Sequence, residues 1–240
     1  GIPAYNEPDT AVNAIAALRE YAKNRDLAGQ SFQRYDDVDE AAAREVIAQV
    51  RSEGDRNVTE MESKQIFNAY GLPVAISKQA TTEDEAAALA EEIGYPVVMK
   101  ILSPDILHKS DAGGVKVGLE NEDEVRDAFT TIMENAEAYD ADADIHGVVV
   151  QEMAPWGTEV ILGSVNDPTF GPTVMFGLGG IFVEILKDVT FRVAPVSSDQ
   201  AYKMLSDING APILEGARGE EPKDRQALAE VLSRYSQMIY

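Results

Sequence analysis

The chain has 240 residues, 45% of them hydrophobic, with no cysteine, 20 Lys+Arg and 42 Asp+Glu, for a formal net charge of −22. There is enough apolar sequence to bury one large core or two smaller ones, and no apolar run approaches the roughly 18 residues that span a bilayer, so no membrane role is expected. A field this negative repels nucleic acid and anionic lipid, and the lack of cysteine excludes disulfides and thiolate metal sites, in keeping with a cytoplasmic protein.

The acids are scattered (Asp36-Asp37, Asp39-Glu40, Glu83 to Glu85, Glu91-Glu92, Glu122 to Glu124, Asp140 to Asp144) and form no single tail, while lysine is scarce. Such a surface resembles that of a salt-adapted, haloarchaeal-like protein, in which salt screens the self-repulsion. An ordinary acidic protein is the alternative. Against this background the local cations Lys100, Lys109, Lys116 and Arg192 become informative.

In chain order, Glu7 to Lys23 has helical apolar spacing (Ala11, Val12, Ile15, Ala16, Leu18), but the polar segment that follows, Asn24 to Asp39, offers it no partner and reads as a linker. A short helix is predicted over Glu40 to Ser52 and another over Met61 to Tyr70, stopped by Gly71 and Pro73 before a strand near Val74 to Ile76. Thr82-x-x-Glu85 is a capping-box signature for a helix to Ile93 closed by Gly94. Strands follow at Val97 to Ile101 and Val115 to Leu119, then a helix from Asn121 to Tyr139 with acids in its first turn. From Gly147 the sequence turns strand-rich (GVVVQEM, TEVILGSV, PTVMFGL, GIFVEIL, TFRVAPV) and ends in helices from Ser198 to Ile208 and Asp224 to Tyr240. The pattern predicts an α+β fold, two α+β subdomains with a cleft between them and a crossing near Gln151 to Ala154.

Pro96 to Gly118, PVVMKILSPDILHKSDAGGVKVG, concentrates the chemistry. Lys100 ends an apolar strand, where its ammonium suits a phosphate oxygen; a snorkelling lysine is the other reading. Gly113-Gly114 would let bare backbone amides approach a ligand, or would simply make a turn. His108 sits in a loop of Ser103, Pro104, Asp105, Lys109, Ser110 and Asp111, polar enough to be exposed and mobile. A neutral imidazole there is nucleophilic near pH 7 and its N-phosphoryl group is reactive, so a histidine on a swinging loop is suited to carry phosphate; a solvated histidine without a role stays open. His146 is read as that second case.

Gln151-Glu152-Met153 ends a strand where backbone is placed to meet an adenine, and Glu159 is placed to accept from ribose hydroxyls. Glu184 lies in an apolar strand ahead of Asp188 and Arg192, and acids so placed imply a cation: Mg²⁺, or Arg192 as a cross-strand partner. Arg218 has no assigned role.

SPDILHKSDAGGVKVGL, QEMAPWGTEVILGSVNDPTFGPTVMFGLGGIFVEILKDVTFRVAP and LEGARGEEPKD, in that order, resemble the ATP-grasp β-module of ADP-forming acyl-CoA synthetases (acetate:CoA ligases). The likeness covers Asn57 to Tyr240, and Gly1 to about Arg25 resembles the last helix of the CoA-ligase α part that precedes this module in fused chains. The resemblance implies a fold of ATP-grasp type and this division: 1–35 a remnant of the α domain, 36–56 linker and short helix, 57–150 a first subdomain with the His108 loop, and 151–240 a second, truncated at its C-terminus.

It also implies the reversible reaction of acyl-CoA, ADP and phosphate to carboxylic acid, CoA and ATP, through an acyl phosphate and phosphohistidine, with ATP/ADP and Mg²⁺ bound. On the same likeness His108 relays phosphate, Lys100, Gly113 and Gly114 hold phosphates, Glu152 and Met153 flank adenine, Glu159 binds ribose, and Arg192 and Glu184 belong to the phosphate or metal end. The first histidine and the CoA site would lie on α domains, as partners in a higher oligomer. Family strands bearing further Mg²⁺ ligands lie beyond Tyr240, so a fragment of a longer protein, inactive alone, is expected. A carboxylate-amine ligase, which would not need His108, and a non-catalytic nucleotide-sensing module are the alternatives.

Overall fold

Strand and helix periodicities close on two separate hydrophobic clusters. In a computed structural model, which describes residues 3–27, 32, 34–52, 54, 57–180 and 185–240, the chain divides into a unit of Asp37–Glu159 and a unit of Gly1–Asp36 with Val160–Tyr240. The predicted first helix is α1 (Pro8–Leu27). Its apolar residues Val12, Ile15, Leu18 and Tyr21 are all exposed.

In the unit of Asp37–Glu159, α2 (Glu40–Ser52) packs on α3 (Glu60–Ala69), followed by β1 (Ser77–Ala80), α4 (Glu83–Ile93), β2 (Val97–Leu102), β3 (Val115–Leu119), α5 (Glu122–Tyr139) and β4 (Gly147–Glu152). The sheet runs β1-β4-β2-β3 with every neighbour antiparallel. Period-two alternation sends Val97, Met99 and Ile101 of β2 and Val148 and Val150 of β4 to one face, where α4 and α5 cover them. The buried residues of α4 are alanines (Ala86, Ala87, Ala90), with Leu89 and Ile93 packed at the margin, and α5 adds Val125, Ala128, Ile132 and Ala136 at helical spacing. Two loop residues, Ile106 and Ala112, are buried in the same cluster.

Helix starts follow local chemistry. Thr59 and Glu62 form a reciprocal capping box on α3. At α4 half of the predicted box is made: Thr82 Oγ1 accepts from the Glu85 amide at 3.2 Å, but the Glu85 carboxylate turns to the amide and hydroxyl of Thr81, at 2.8 and 2.7 Å. The strand predicted over Val74 to Ile76 begins instead at Ser77, because the register with β4, Ser77↔Gln151 to Ala80↔Val148, selects a polar edge segment over the apolar one before it.

The other unit is a meander of β5 (Val160–Asp167), β6 (Gly171–Leu178) and β7 (Val189–Val193), followed by α6 (Ser198–Asp207), α7 (Ala211–Leu214), a 3₁₀ turn at Ala217–Gly219 and α8 (Arg225–Ile239). Val174, Phe176 and Leu178 of β6 meet Ala201, Met204 and Leu205 of α6 and Ala229 and Leu232 of α8. Of the strand predicted within GIFVEIL, residues 181–184 lie outside the described ones, and Ile185 and Leu186 are exposed and in no strand. Lys187 turns the chain through a left-handed φ of 50° and Asp188 enters the interior. There the carboxylate accepts from the amides of Asn209 and Gly210 and from Asn209 Nδ2, at 2.6 to 3.0 Å. The cation expected for such an acid is thus replaced, at Asp188, by three N–H donors. Among the described residues no helix is long and apolar enough to cross a membrane.

Candidate functional site

Alternation along β2 decides where Lys100 points. Its neighbours Met99 and Ile101 face the α4/α5 core, so Lys100, half-buried, projects from the opposite face together with Gln151 of β4. Lys100 Nζ donates to Gln151 Oε1 at 3.0 Å and to Glu60 Oε1 at 3.2 Å. Lys64, one turn along α3 from Glu60, reaches the same Glu60 oxygen at 3.2 Å, Gln151 Oε1 at 3.0 Å and Ser77 Oγ at 2.6 Å. Lys109, from the His108 loop, meets Glu60 Oε2 at 3.0 Å.

One carboxylate therefore answers three ammonium groups drawn from a helix, a strand and a loop. Burial on its own would raise the Glu60 pKa; the Lys109 hydrogen bond, the charges of Lys100 and Lys109 and the Lys64 hydrogen bond outweigh it and hold the carboxyl at about 2. Glu60 is ionised at every pH the folded chain ordinarily meets, and the cluster carries more positive charge than Glu60 neutralises.

The loop is built from its ends inward. Ser103 Oγ accepts from the amides of Asp105 and Ile106 at 3.2 and 3.3 Å, turning the chain so that Ile106 is buried. Residues 108–113 make a single helical turn, with Asp111 and Ala112 donating to His108 O. The amides of Gly113 and Gly114, expected to be bare, donate within the loop to Ser110 O and Lys109 O at 3.1 and 2.8 Å. Gly114 O then accepts from the Ile101 amide at 2.8 Å, joining the loop to β2. The glycine pair thus fixes the loop's exit. His108 is exposed and lines a cavity of about 390 Å³ with Glu60, Lys100, Lys109, Ser110 and Asp111.

Lys100 and His108 are thereby brought to one cavity, with Gly113 and Gly114 closing its loop. Glu152 lies on β4, where its carboxylate accepts from the Ile76 amide at 3.0 Å. Met153 is half-buried and Glu159 is exposed just before β5. Arg192 belongs to the other unit, paired with Asp207 and donating to Thr190 Oγ1 at 3.1 Å. Glu184 lies outside the described residues, as does the side chain of Arg218. His146 is exposed and bonded to Asp144 at 2.9 Å. Among the described residues no group of three or more His, Asp or Glu side chains gathers where it would hold a metal ion.

Sequence reasoning missed Glu60, Lys64 and the side chain of Gln151. One local signal was available: Thr59-x-x-Glu62 starts α3 one residue earlier than predicted and makes Glu60 and Lys64 an i,i+4 pair.

Comparison with known proteins identifies the family. The family profile described as ATP-grasp domain matches residues 49–240. Acetate–CoA ligase [ADP-forming] I subunit beta of Pyrococcus furiosus is 54% identical over 198 residues, 82% of this chain and 85% of that one. The 4-hydroxybutyrate–CoA ligase [ADP-forming] of Nitrosopumilus maritimus is 44% identical over 99% of this chain, which spans only 34% of that longer protein. Solved structures of acetyl-coenzyme A synthetase 1 of Ca. Korarchaeum cryptofilum superpose on it. With coenzyme A and Ca-AMPCP bound, the TM-score is 0.80 at 45% identity, covering 82% of this chain and 86% of that one. With coenzyme A and Mg-AMPPCP and a phosphohistidine segment pointing towards the nucleotide binding site, it is 0.73 at 43%, covering 82% and 85%. A matching profile over most of the length and these identities together have one meaning: the chain belongs to the ATP-grasp domain family, alongside the β subunits of ADP-forming acetate–CoA ligases.

Proposed function

We propose that the chain is the nucleotide-binding and phosphohistidine-relay part of an ADP-forming acyl-CoA synthetase, interconverting acyl-CoA, ADP and phosphate with carboxylic acid, CoA and ATP. The observation that carries this is the shared cavity: His108 is exposed beside Lys100 and Lys109, two cations on the wall that an anion would meet. In the ATP-consuming direction a lone pair on an imidazole nitrogen of His108 attacks the γ-phosphorus. The nitrogen–phosphorus bond forms, the bond to the bridging oxygen breaks, and ADP leaves with that electron pair. Lys100 and Lys109 neutralise the phosphate oxygens throughout. The Gly113-Gly114 exit holds the loop in place, Glu152 and Met153 flank the adenine, Glu159 takes the ribose, and Arg192 serves the phosphate end.

The Korarchaeum relative binds its nucleotide analogue with magnesium, and Mg²⁺ held largely by phosphates and water would supply charge neutralisation here. Glu184 is the residue proposed to reach it. CoA-ligase α domains, on the same or another chain, are the partners, in an oligomeric enzyme.

The test uses γ-labelled ATP and Mg²⁺ with the chain alone and with CoA-ligase α domains. Acid-labile, base-stable label is expected on the wild type and none on His108→Ala. Label that persists in the variant sinks the relay, and label on neither protein favours a nucleotide-sensing module.

The formal net charge of −22 further supports a cytoplasmic protein adapted to high salt. Screening shortens from about 10 Å at 0.1 M to about 3 Å at 1 M salt. The melting temperature is therefore expected to rise steadily between those concentrations of KCl, and a flat profile in scanning calorimetry would refute the adaptation.

A further inference from the structure

Glu60 occupies ground that a phosphate would want. Its two oxygens are spread over Lys64 and Lys100 on one side and Lys109 on the other, and it lines the cavity that His108 faces. A carboxylate so held offers what a phosphate offers, namely anionic oxygens accepting from ammonium groups. Two of the three lysines also have another bond to keep. Lys64 holds Gln151 and Ser77, and Lys100 holds Gln151. Lys109 Nζ has Glu60 as its partner, so the loop lysine is the one whose bond must be exchanged.

We infer that Glu60 is a resident anion competing with the nucleotide's phosphate groups for Lys100 and Lys109, so that phosphate binding at this site is an exchange of one anion for another. The inference rests on the nucleotide reading of the cavity. It sets the unliganded loop in a defined state: Lys109, next to His108, is tied to α3 through Glu60 until a phosphate displaces that carboxylate. The exchange weakens ground-state binding, and it spares the chain three unanswered lysines when the cavity is empty.

The sign of one measurement separates this role from a positioning role. With ATP and Mg²⁺ as probe at about 0.1 M salt, where charge pairs are least screened, Glu60→Gln is expected to bind about tenfold more tightly than the wild type by calorimetry, and inorganic phosphate is expected to shift in the same direction. Binding that weakens or stays unchanged overturns the inference, since a residue that merely aligns the lysines would lose affinity when neutralised. Glu60→Asp keeps the charge on a shorter arm and is expected to bind two- to threefold more tightly, which serves should Glu60→Gln fail to fold. In the double variant Glu60→Gln/Lys100→Met the gain is expected to vanish. If it persists, the nucleotide does not sit at Lys100 and the functional reading fails with it. If Glu60→Gln binds as the wild type does and the double variant binds more weakly, only the competition fails. No binding by wild type and Glu60→Gln alike overturns the competition, because removing a competitor should reveal the site.

Discussion

Gly147→Ala is expected to destabilise the unit of Asp37–Glu159 by about 3 kcal/mol, the sum of a left-handed backbone penalty and overpacking. Gly147 opens β4 with φ of 107°, and a β-carbon there would stand 2.3 Å from the carbonyl oxygen of Ala80 and 3.2 Å from the Thr81 α-carbon. All of these atoms are backbone at the end of β1, which leaves no flexible side chain to move aside. The strand that must shift is the one between β1 and β2 in the sheet, so the error spreads to both pairings. A fall in melting temperature on the order of 10 °C is expected by circular dichroism. A shift under about 2 °C would mean that β4 can relax at its start.

Gly114→Ala is expected to affect function more than stability. Its β-carbon would lie 2.6 Å from Ile101 Cγ2 and 3.1 Å from Lys109 O. Ile101 is fully buried and cannot retreat, so the loop backbone yields. The stability cost is about 1–3 kcal/mol. Because Gly114 bonds both Lys109 and Ile101, its displacement moves the turn that carries His108 and Lys109. A misplacement of about 1 Å can cost a hundredfold in rate. Label from γ-labelled ATP is accordingly expected to appear on His108 about a hundredfold more slowly well below the melting temperature. Melting that falls while the labelling rate holds would show that the side chain of Ile101, and not the loop, absorbs the strain.

Much of the fold was legible because it is locally encoded. A short apolar run marked β2, helical apolar spacing marked α1, and Asn121 and Thr82 marked their helix starts. Lys100 and His108 were legible too: a lone cation in an apolar strand and a histidine in a polar loop each stand out against their neighbours. What joins them was not. Glu60 and Gln151 come from the two ends of the unit and meet Lys100 only through the pairing of β4 with β2 and the docking of α3, information that no local window holds. The glycine amides were misjudged for a related reason. Whether an N–H is bare depends on the turn it closes, and the single helical turn after His108 has little signature in its sequence. Asp188 shows the same limit, since its donors lie past α6.

The burial of Ile106 and Ala112 gives the His108 loop a short tether. Only residues 107–111 lie between these two anchors, and His108 is two positions from Ile106. Fully extended, two residues reach about 7 Å. A longer excursion would have to draw Ile106 out of the core, at a cost of about 2–3 kcal/mol. In the relay proposed above, how far a phosphate on His108 can be carried is thus set by whether Ile106 stays in the core, which makes a buried isoleucine the stop on a swinging loop.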